Sequence, residues 1–146
     1  MLMSGLKAQT FTYQDSTFSL GQSKTLAPFT IALDCEYIAC NSDIIDSLVD
    51  FLKTHRELSV EIENHTDTRG SEQYNIEYSQ KLADEIVKYL IQNGISKNRL
   101  SAKGLGETKP IHNDQEIREM DQAIDQELAH LKNQRVVVKI TKIKKE

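Results

Sequence analysis

The stretch that decides the fold is Leu58-Ser59-Val60-Glu61-Ile62-Glu63-Asn64-His65-Thr66-Asp67-Thr68-Arg69-Gly70-Ser71, which continues through Tyr74-Asn75 into Tyr78-Ser79-Gln80-Lys81-Leu82-Ala83. Leu58, Val60 and Ile62 alternate with Ser59, Glu61 and Glu63, which predicts a strand over 58–63 with one wet face. Asn64 to Gly70 is polar and reads as a loop, and Ser71 is placed to cap a following helix. Tyr78, Leu82, Ile86 and Leu90 recur every fourth residue, with Ala83 and Val87 beside them, so one face of that helix is apolar. Gly94-Ile95 stops it, because glycine takes the left-handed C-terminal geometry without a Cβ clash.

Outward from this unit the pattern repeats. Phe29, Ile31 and Leu33 alternate with Thr30, Ala32 and Asp34 and predict an earlier strand over 29–34. Asn41-Ser42-Asp43 supplies capping chemistry for a helix over 43–54, with Ile44, Ile45, Leu48, Val49 and Leu52 on its apolar face. Leu100 and Ala102 predict a short strand before Gly104 and Gly106, and Pro110 to Asp114 a turn. Ile117, Met120, Ile124, Leu128 and Leu131 predict one further helix, acidic on its other face, and Val136, Val138 and Ile140 a last strand. The order is β-α-β-α-β-α-β. One-faced strands and one-striped helices must cover each other, which gives an α/β (α+β) two-layer sandwich with helices packed on one side of a mixed sheet. Strands 29–34 and 58–63, joined through a helix, are expected to be parallel with a right-handed crossover. Residues 1–27 are polar and lack helical periodicity. They are read as an N-terminal extension in which Phe11, Tyr13, Phe18 and Leu20 leave room for a strand or hairpin, and 28–146 as the domain.

Composition narrows the function. The 146 residues suffice for one domain with a real core, and a net charge of −4 provides no basic field for nucleic acid or anionic lipid. Lys139, Lys142, Lys144 and Lys145 read as a solvated strand edge that discourages sheet-to-sheet pairing. No apolar run approaches the ~18–20 residues that span a bilayer, so no transmembrane segment is expected. Met1–Gln9 lacks an apolar h-region and reads as a disordered terminus, or, through Leu6-Lys7-Ala8, as the tail of a longer leader. Cys35 and Cys40 stand five apart, which is not the CxxC of a zinc or redox site. A pair of buried thiols and a short-loop disulfide both fit. His55, His112 and His130 are scattered, so neither a metal nor a cofactor is implied.

The motifs recur in an order that carries a resemblance. His65-Thr66-Asp67, Gly70-Ser71, Tyr74-Asn75, Tyr78 to Ala83, Tyr89-Leu90, Gly94-Ile95, Arg99-Leu100, Gly104-Leu105-Gly106-Glu107, Lys109-Pro110-Ile111 and Asn133-Gln134-Arg135-Val136 together resemble the OmpA C-terminal-like family, which includes Pal and MotB, over about residues 29–140. The resemblance implies non-covalent binding of the peptidoglycan peptide stem in the periplasm, tethering outer-membrane and envelope components to the cell wall. The usual ligand group is the free end of meso-diaminopimelate, a zwitterion. The family holds its ammonium on the Asp of the His-Thr-Asp motif and its carboxylate on an Arg of the following helix, whose fork meets a carboxylate with two parallel hydrogen bonds. Carried over residue by residue, Asp67 is the ammonium acceptor, with Thr66 and Asn75 supplying neutral hydrogen bonds. The ligand carboxylate looks toward the helix start, where N–H groups favour anions.

One departure matters. Leu82 stands where the family has its Arg. Lys81 is adjacent but turned about 100° around the helix. Lys81, Arg69 and Arg135 are the candidates to reach in. A carboxylate left unpaired would forfeit a charge-assisted bond of about 1.5–3 kcal/mol, roughly tenfold to a hundredfold in affinity. Asn64 replaces a family Gly and is expected to tolerate a left-handed backbone. Arg135 matches one Arg of the family's closing Asn-Arg-Arg, and Gln134 replaces the other.

Each residue also has a plainer reading. Asp67 and Asn75 would cap the loop and helix, Leu82 would fill the core, and Arg135 would be a strand-end charge. His65 beside Asp67 is not a catalytic dyad, since residues two apart leaving a strand do not form one, and no Ser or Cys stands in a nucleophile context. No catalytic residue is expected, and the chain does not read as an enzyme. The rival function is an OmpA-like fold with a degenerate murein site, acting as a protein–protein module. It would dock an envelope protein through its acidic helix Asn113–Leu131 or its N-terminal extension.

Overall fold

The computed structural model describes residues 10–26 and 37–145. In chain order the elements are β1 (Ser23–Leu26), α1 (Tyr37–Cys40), α2 (Ser42–Thr54), β2 (Leu58–His65), α3 (Glu72–Gln92), a 3₁₀ turn (Lys97–Arg99), β3 (Leu100–Gly106), α4 (Asp114–Arg118), α5 (Ala123–Asn133) and β4 (Arg135–Ile143). The four strands form one mixed sheet in the order β1-β4-β2-β3. β4 runs antiparallel to both neighbours, and β2 and β3 are parallel. The strand expected over 29–34, and with it the parallel pair it was to form with 58–63, lies outside the described residues.

The period-two pattern decides which sheet face is covered. Leu58, Val60 and Ile62 of β2 and Val136, Val138 and Ile140 of β4 are buried against Ile45, Leu48 and Leu52 of α2 and Ala83, Ile86 and Leu90 of α3. The caps form as the sequence predicts at two helix ends. Ser71 Oγ accepts from Tyr74 N–H at the start of α3, and Gly94 at φ +96° ends it, with Ile95 N–H returning to Leu90 O at 3.0 Å. Arg99 joins α2 to β2. Its guanidinium donates to the carbonyls of Leu52, His55 and Leu58 at 2.8–2.9 Å, where the end of α2 leaves acceptors unmet.

The segment 10–26 contributes to the same core. β1 pairs with β4 from Ser23 opposite Lys139 to Leu26 opposite Val136. Phe11 is buried and stacks on Phe51 of α2, with ring centroids 5.4 Å apart, and Phe18 meets the same ring edge-on. The aromatic residues of this stretch supply the apolar surface that Phe51 needs.

Three sequence expectations are corrected. At Lys139 β4 lies inside the sheet, between β1 and β2, so this lysine does not mark an edge; it stands opposite Glu61 and within 3.9 Å of Glu63. Strand β2 runs on to His65 and takes Asn64 into the sheet with ordinary backbone, and no described residue other than glycine has positive φ. The long acidic helix is two helices, α4 and α5, and Ile124, Leu128 and Leu131 of α5 are exposed. The buried side of α5 is Ala129 and Asn133. Asn133 Oδ1 accepts from the N–H groups of Ile111 and His112, and its Nδ2 donates to His112 O, all within 2.8–2.9 Å. Those three bonds turn the helix, and at 100° per residue the Ile124–Leu128–Leu131 stripe falls on the opposite side.

Helix α3 passes close against the edge strand β3. A Cβ on Gly104 would lie 2.1 Å from Gln80 N and 2.5 Å from Gln80 Cα. Gln80 Oε1 accepts from Gly104 N–H at 2.9 Å and its Nε2 donates to Ala102 O at 3.2 Å, while Ser79 Oγ accepts from Gly106 N–H. The helix thus meets part of the hydrogen-bonding need of a strand with no neighbour on that side among the described residues. Gly104→Ala is expected to lower stability by at least about 3 kcal/mol, because the clash is with backbone rather than a mobile side chain; a urea titration would measure it. Arg99→Lys, which keeps the charge but loses the fork, is expected to lose about 1.5–3 kcal/mol in the same measurement.

Candidate functional site

Because β2 and β3 are parallel, their C-terminal ends lie side by side, and Thr66 N–H donates to Gly106 O at 2.9 Å to hold them there. The chain then turns back into α3. Asp67 makes the turn, with its Oδ1 accepting from Arg69 N–H at 2.9 Å. That is the local side-chain-to-backbone bond that favours Asp in turns. Gly70 at φ +95° completes it. Asn75, buried one turn into α3, braces the loop from below. Its Nδ2 faces Arg69 O at 3.1 Å and Glu107 Oε2 at 2.6 Å.

Between this loop, the end of β2 and the first turns of α3 lies a cavity of about 170 Å³. Asp67 and Thr66 line it from the loop, Tyr74, Tyr78 and Leu82 from α3, and Gln134 from the residue before β4. The volume is about six water molecules' share of liquid, which suits the end of one side chain rather than a whole sugar or peptide. Tyr74 and Tyr78 stack in parallel, with ring centroids 5.8 Å apart and planes 7° apart, and Tyr74 is well exposed.

The charge at Asp67 is shared. Arg69 Nη2 reaches Asp67 Oδ2 at 2.7 Å and Arg69 Nη1 reaches Glu127 Oε2 at 3.0 Å. Gln134 Nε2 donates to the same Asp67 oxygen at 2.6 Å. Burial alone would raise the Asp67 carboxyl, but the donors on Arg69 and Gln134 outweigh it and hold it below the usual 3.8. The carboxylate is therefore ionised. One guanidinium between two carboxylates leaves the group with one net negative charge. Among the described residues Oδ1 accepts from the Arg69 amide alone, and a carboxylate oxygen has capacity for a second bond.

His65 forms the floor on the β2 side. It is 4% exposed, and neither ring nitrogen has a hydrogen-bond partner. Burial, helped by the charges of Arg135 and Lys109, pushes it down to about 4, so the ring is neutral near pH 7. Its approach to Glu63, 3.7 Å from Nε2 to Oε2, is accordingly not an ion pair.

Of the six residues singled out from sequence, four gather here: Asp67, Thr66, Asn75 and Arg69. Thr66 Oγ1 donates to Asp67 O at 2.9 Å and keeps its lone pairs. Lys81 lies elsewhere, exposed in a shallow groove on the outer side of α3 with Asp84 and Glu85. Arg135 spans the carbonyls of Asn133 and Lys109 at 3.0 and 2.8 Å and does not line the cavity. Leu82, 5% exposed, forms part of the wall. Sequence reading passed over the tyrosine pair and the direct bond from Gln134 to Asp67. The i, i+4 spacing of Tyr74 and Tyr78 is the signal that could have found the first; nothing local signals the second, which joins residues 67 positions apart.

The chain belongs to the OmpA family, whose model matches residues 40–138. It is similar to the peptidoglycan-associated lipoprotein of Buchnera aphidicola subsp. Baizongia pistaciae (36% identical over 67 residues, 46% of this chain and 39% of that one). It is also similar to outer membrane porin F of Pseudomonas fluorescens (34% over 67 residues, 46% and 21%), so the match spans well under half of either relative. Among solved structures, a MotB-like protein of Desulfovibrio vulgaris shares the fold, with a TM-score of 0.61 over 78% of this chain and 70% of that one at 22% identity. No described helix is long and apolar enough to cross a membrane.

The lowered pKa of His65 has a sign that can be measured. Unfolded, the ring takes a proton near 6.5; folded, near 4. Its contribution to stability is present above about pH 6.5 and is lost as pH falls toward 4. Glu63, raised mainly by burial, works in the opposite direction. The stability of the native chain minus that of His65→Gln, from urea titrations, is expected to shrink across that window. A flat difference would show that His65 is not held neutral.

Proposed function

We propose that this chain holds peptidoglycan non-covalently in the periplasm by gripping an amine of the peptide stem at Asp67, so tethering envelope components to the wall. The observation that carries the reading is an ionised, net-negative acid cluster at the wall of an aromatic-sided cavity sized for one side-chain end. An ammonium placed there gains Asp67 and the lone pairs of Thr66, beside the rings of Tyr74 and Tyr78. Membership of the OmpA family, and a relative named for its association with peptidoglycan, support the choice of ligand. Cys40 is disulfide-bonded, which suits an oxidising compartment outside the cytoplasm. The reading is of a binder rather than an enzyme. His65 is buried and neutral, and Asp67 is occupied by Arg69 and Gln134, so the pair offers no poised base.

One observation favours the rival reading, a protein-docking module. The stripe Ile124, Leu128 and Leu131 on α5 is exposed at 64%, 48% and 49%. Co-sedimentation with purified sacculi separates the two. Asp67→Asn, which keeps the side chain's shape, is expected to weaken retention at least about tenfold, while Leu128→Ser leaves it unchanged; a melting curve for each variant checks folding. Equal retention of native and Asp67→Asn chains removes the Asp67 reading, and loss with Leu128→Ser alone transfers the function to α5.

A further inference from the structure

We propose that the Asp67 cavity selects a stem amine with no ionised carboxylate beside it: a primary ammonium on an apolar stem, from a lysine-type residue or from a diaminopimelate whose carboxyl is amidated. The proposal rests on the reading of Asp67 as the amine acceptor and adds what the rest of the cavity requires of that amine's neighbours.

A carboxylate entering this space needs a cation, and none lines the cavity among the described residues. Arg69, the nearest base, is spread across Asp67 and Glu127, and moving it to a ligand would strand a buried carboxylate. The Gln134 amide already donates to Asp67 at 2.6 Å. At the start of α3, the Tyr74 N–H is taken by the Ser71 hydroxyl. His65 is a neutral ring. The wall along α3 is hydrocarbon at Leu82 and the stacked rings of Tyr74 and Tyr78. A carboxylate would therefore meet the negative charge of Asp67 and the apolar Leu82 wall, with no cation lining the cavity among the described residues to replace its water.

An ammonium meets the reverse at every point. Asp67 accepts from it, and the adjoining aromatic rings bring no opposing charge. The methylene stem that carries the amine lies against Leu82. A carboxamide or a hydrogen in place of the carboxylate removes the charge that has no partner.

The test uses the full 146-residue chain and three soluble muropeptides that differ only at the third stem residue: diaminopimelate with a free carboxyl, the same residue amidated, and lysine. Calorimetric titration is expected to give at least about tenfold tighter binding of the amidated and lysine forms than of the free-carboxyl form. Leu82→Arg, which puts a cation in the wall, is expected to narrow or invert that ratio; if this variant does not fold, the native comparison alone decides. Equal affinity for all three, or preference for the free carboxylate, overturns the proposed selectivity and leaves Asp67 as the amine site. If only one of the two carboxylate-free forms binds tightly, the shared-ammonium rule fails in favour of a feature peculiar to that residue. Failure of all three to bind overturns the amine site together with its selectivity.

Discussion

Where α3 passes over the edge strand β3, backbone meets backbone with no room for a methyl group at Gly104. Hydrogen bonds from Gln80 and Ser79 fix the helix at that height. The rest of the arrangement depends on this contact. It sets how far α3 stands from the sheet, hence how Ala83, Ile86 and Leu90 press on Ile62 and Val138, and hence where the first turns of α3 sit relative to the end of β2. The cavity lies in the wedge that remains. A side chain at Gly104 would lift the helix and open the wedge before touching any residue that lines it.

The chemistry of that wedge follows from a shared cation. Asp67 has a structural duty, closing the turn through its Oδ1, and a charge that its burial would otherwise suppress. Arg69 keeps the carboxylate ionised without cancelling it, because half of the guanidinium is turned to Glu127. The loop-capping and ligand-binding readings of Asp67 are therefore compatible: the bonds that build the turn are the ones that hold the acid in its charged form. The same sharing removes Arg69 as a partner for anything negative. Arg135, held by two carbonyls, and Lys81, on the outer side of α3, do not line the cavity either.

Much of the fold was legible because local rules and burial agree. Alternation in 58–62 and 136–140 gave strands, the stripe through Leu82, Ile86 and Leu90 gave a helix, and Ser71 and Gly94 marked its ends. Legibility failed where two faces of one helix competed. Ile124, Leu128 and Leu131 form the stripe that periodicity prefers, yet Asn133, with three hydrogen bonds to the 111–112 backbone, outweighs them and turns that stripe to solvent. A polar residue with specific partners leaves no periodic trace. The contribution of Phe11 and Phe18 to the core was similarly invisible, since their partner Phe51 lies more than thirty positions away.

For the site, the sequence by itself determined the parts: an acid in a turn between a strand and a helix, a leucine where a guanidinium would reach a carboxylate, and glycines that admit a close helix. Residue type and local spacing fix these, because turn chemistry and side-chain volume act within a few residues. Only the tertiary structure decided how the charges pair. Which acids share Arg69, which carbonyls hold Arg135 and which rings wall the cavity depend on distances between segments dozens of residues apart. Electrostatic interaction depends on separation in space, and position along the chain carries no record of it.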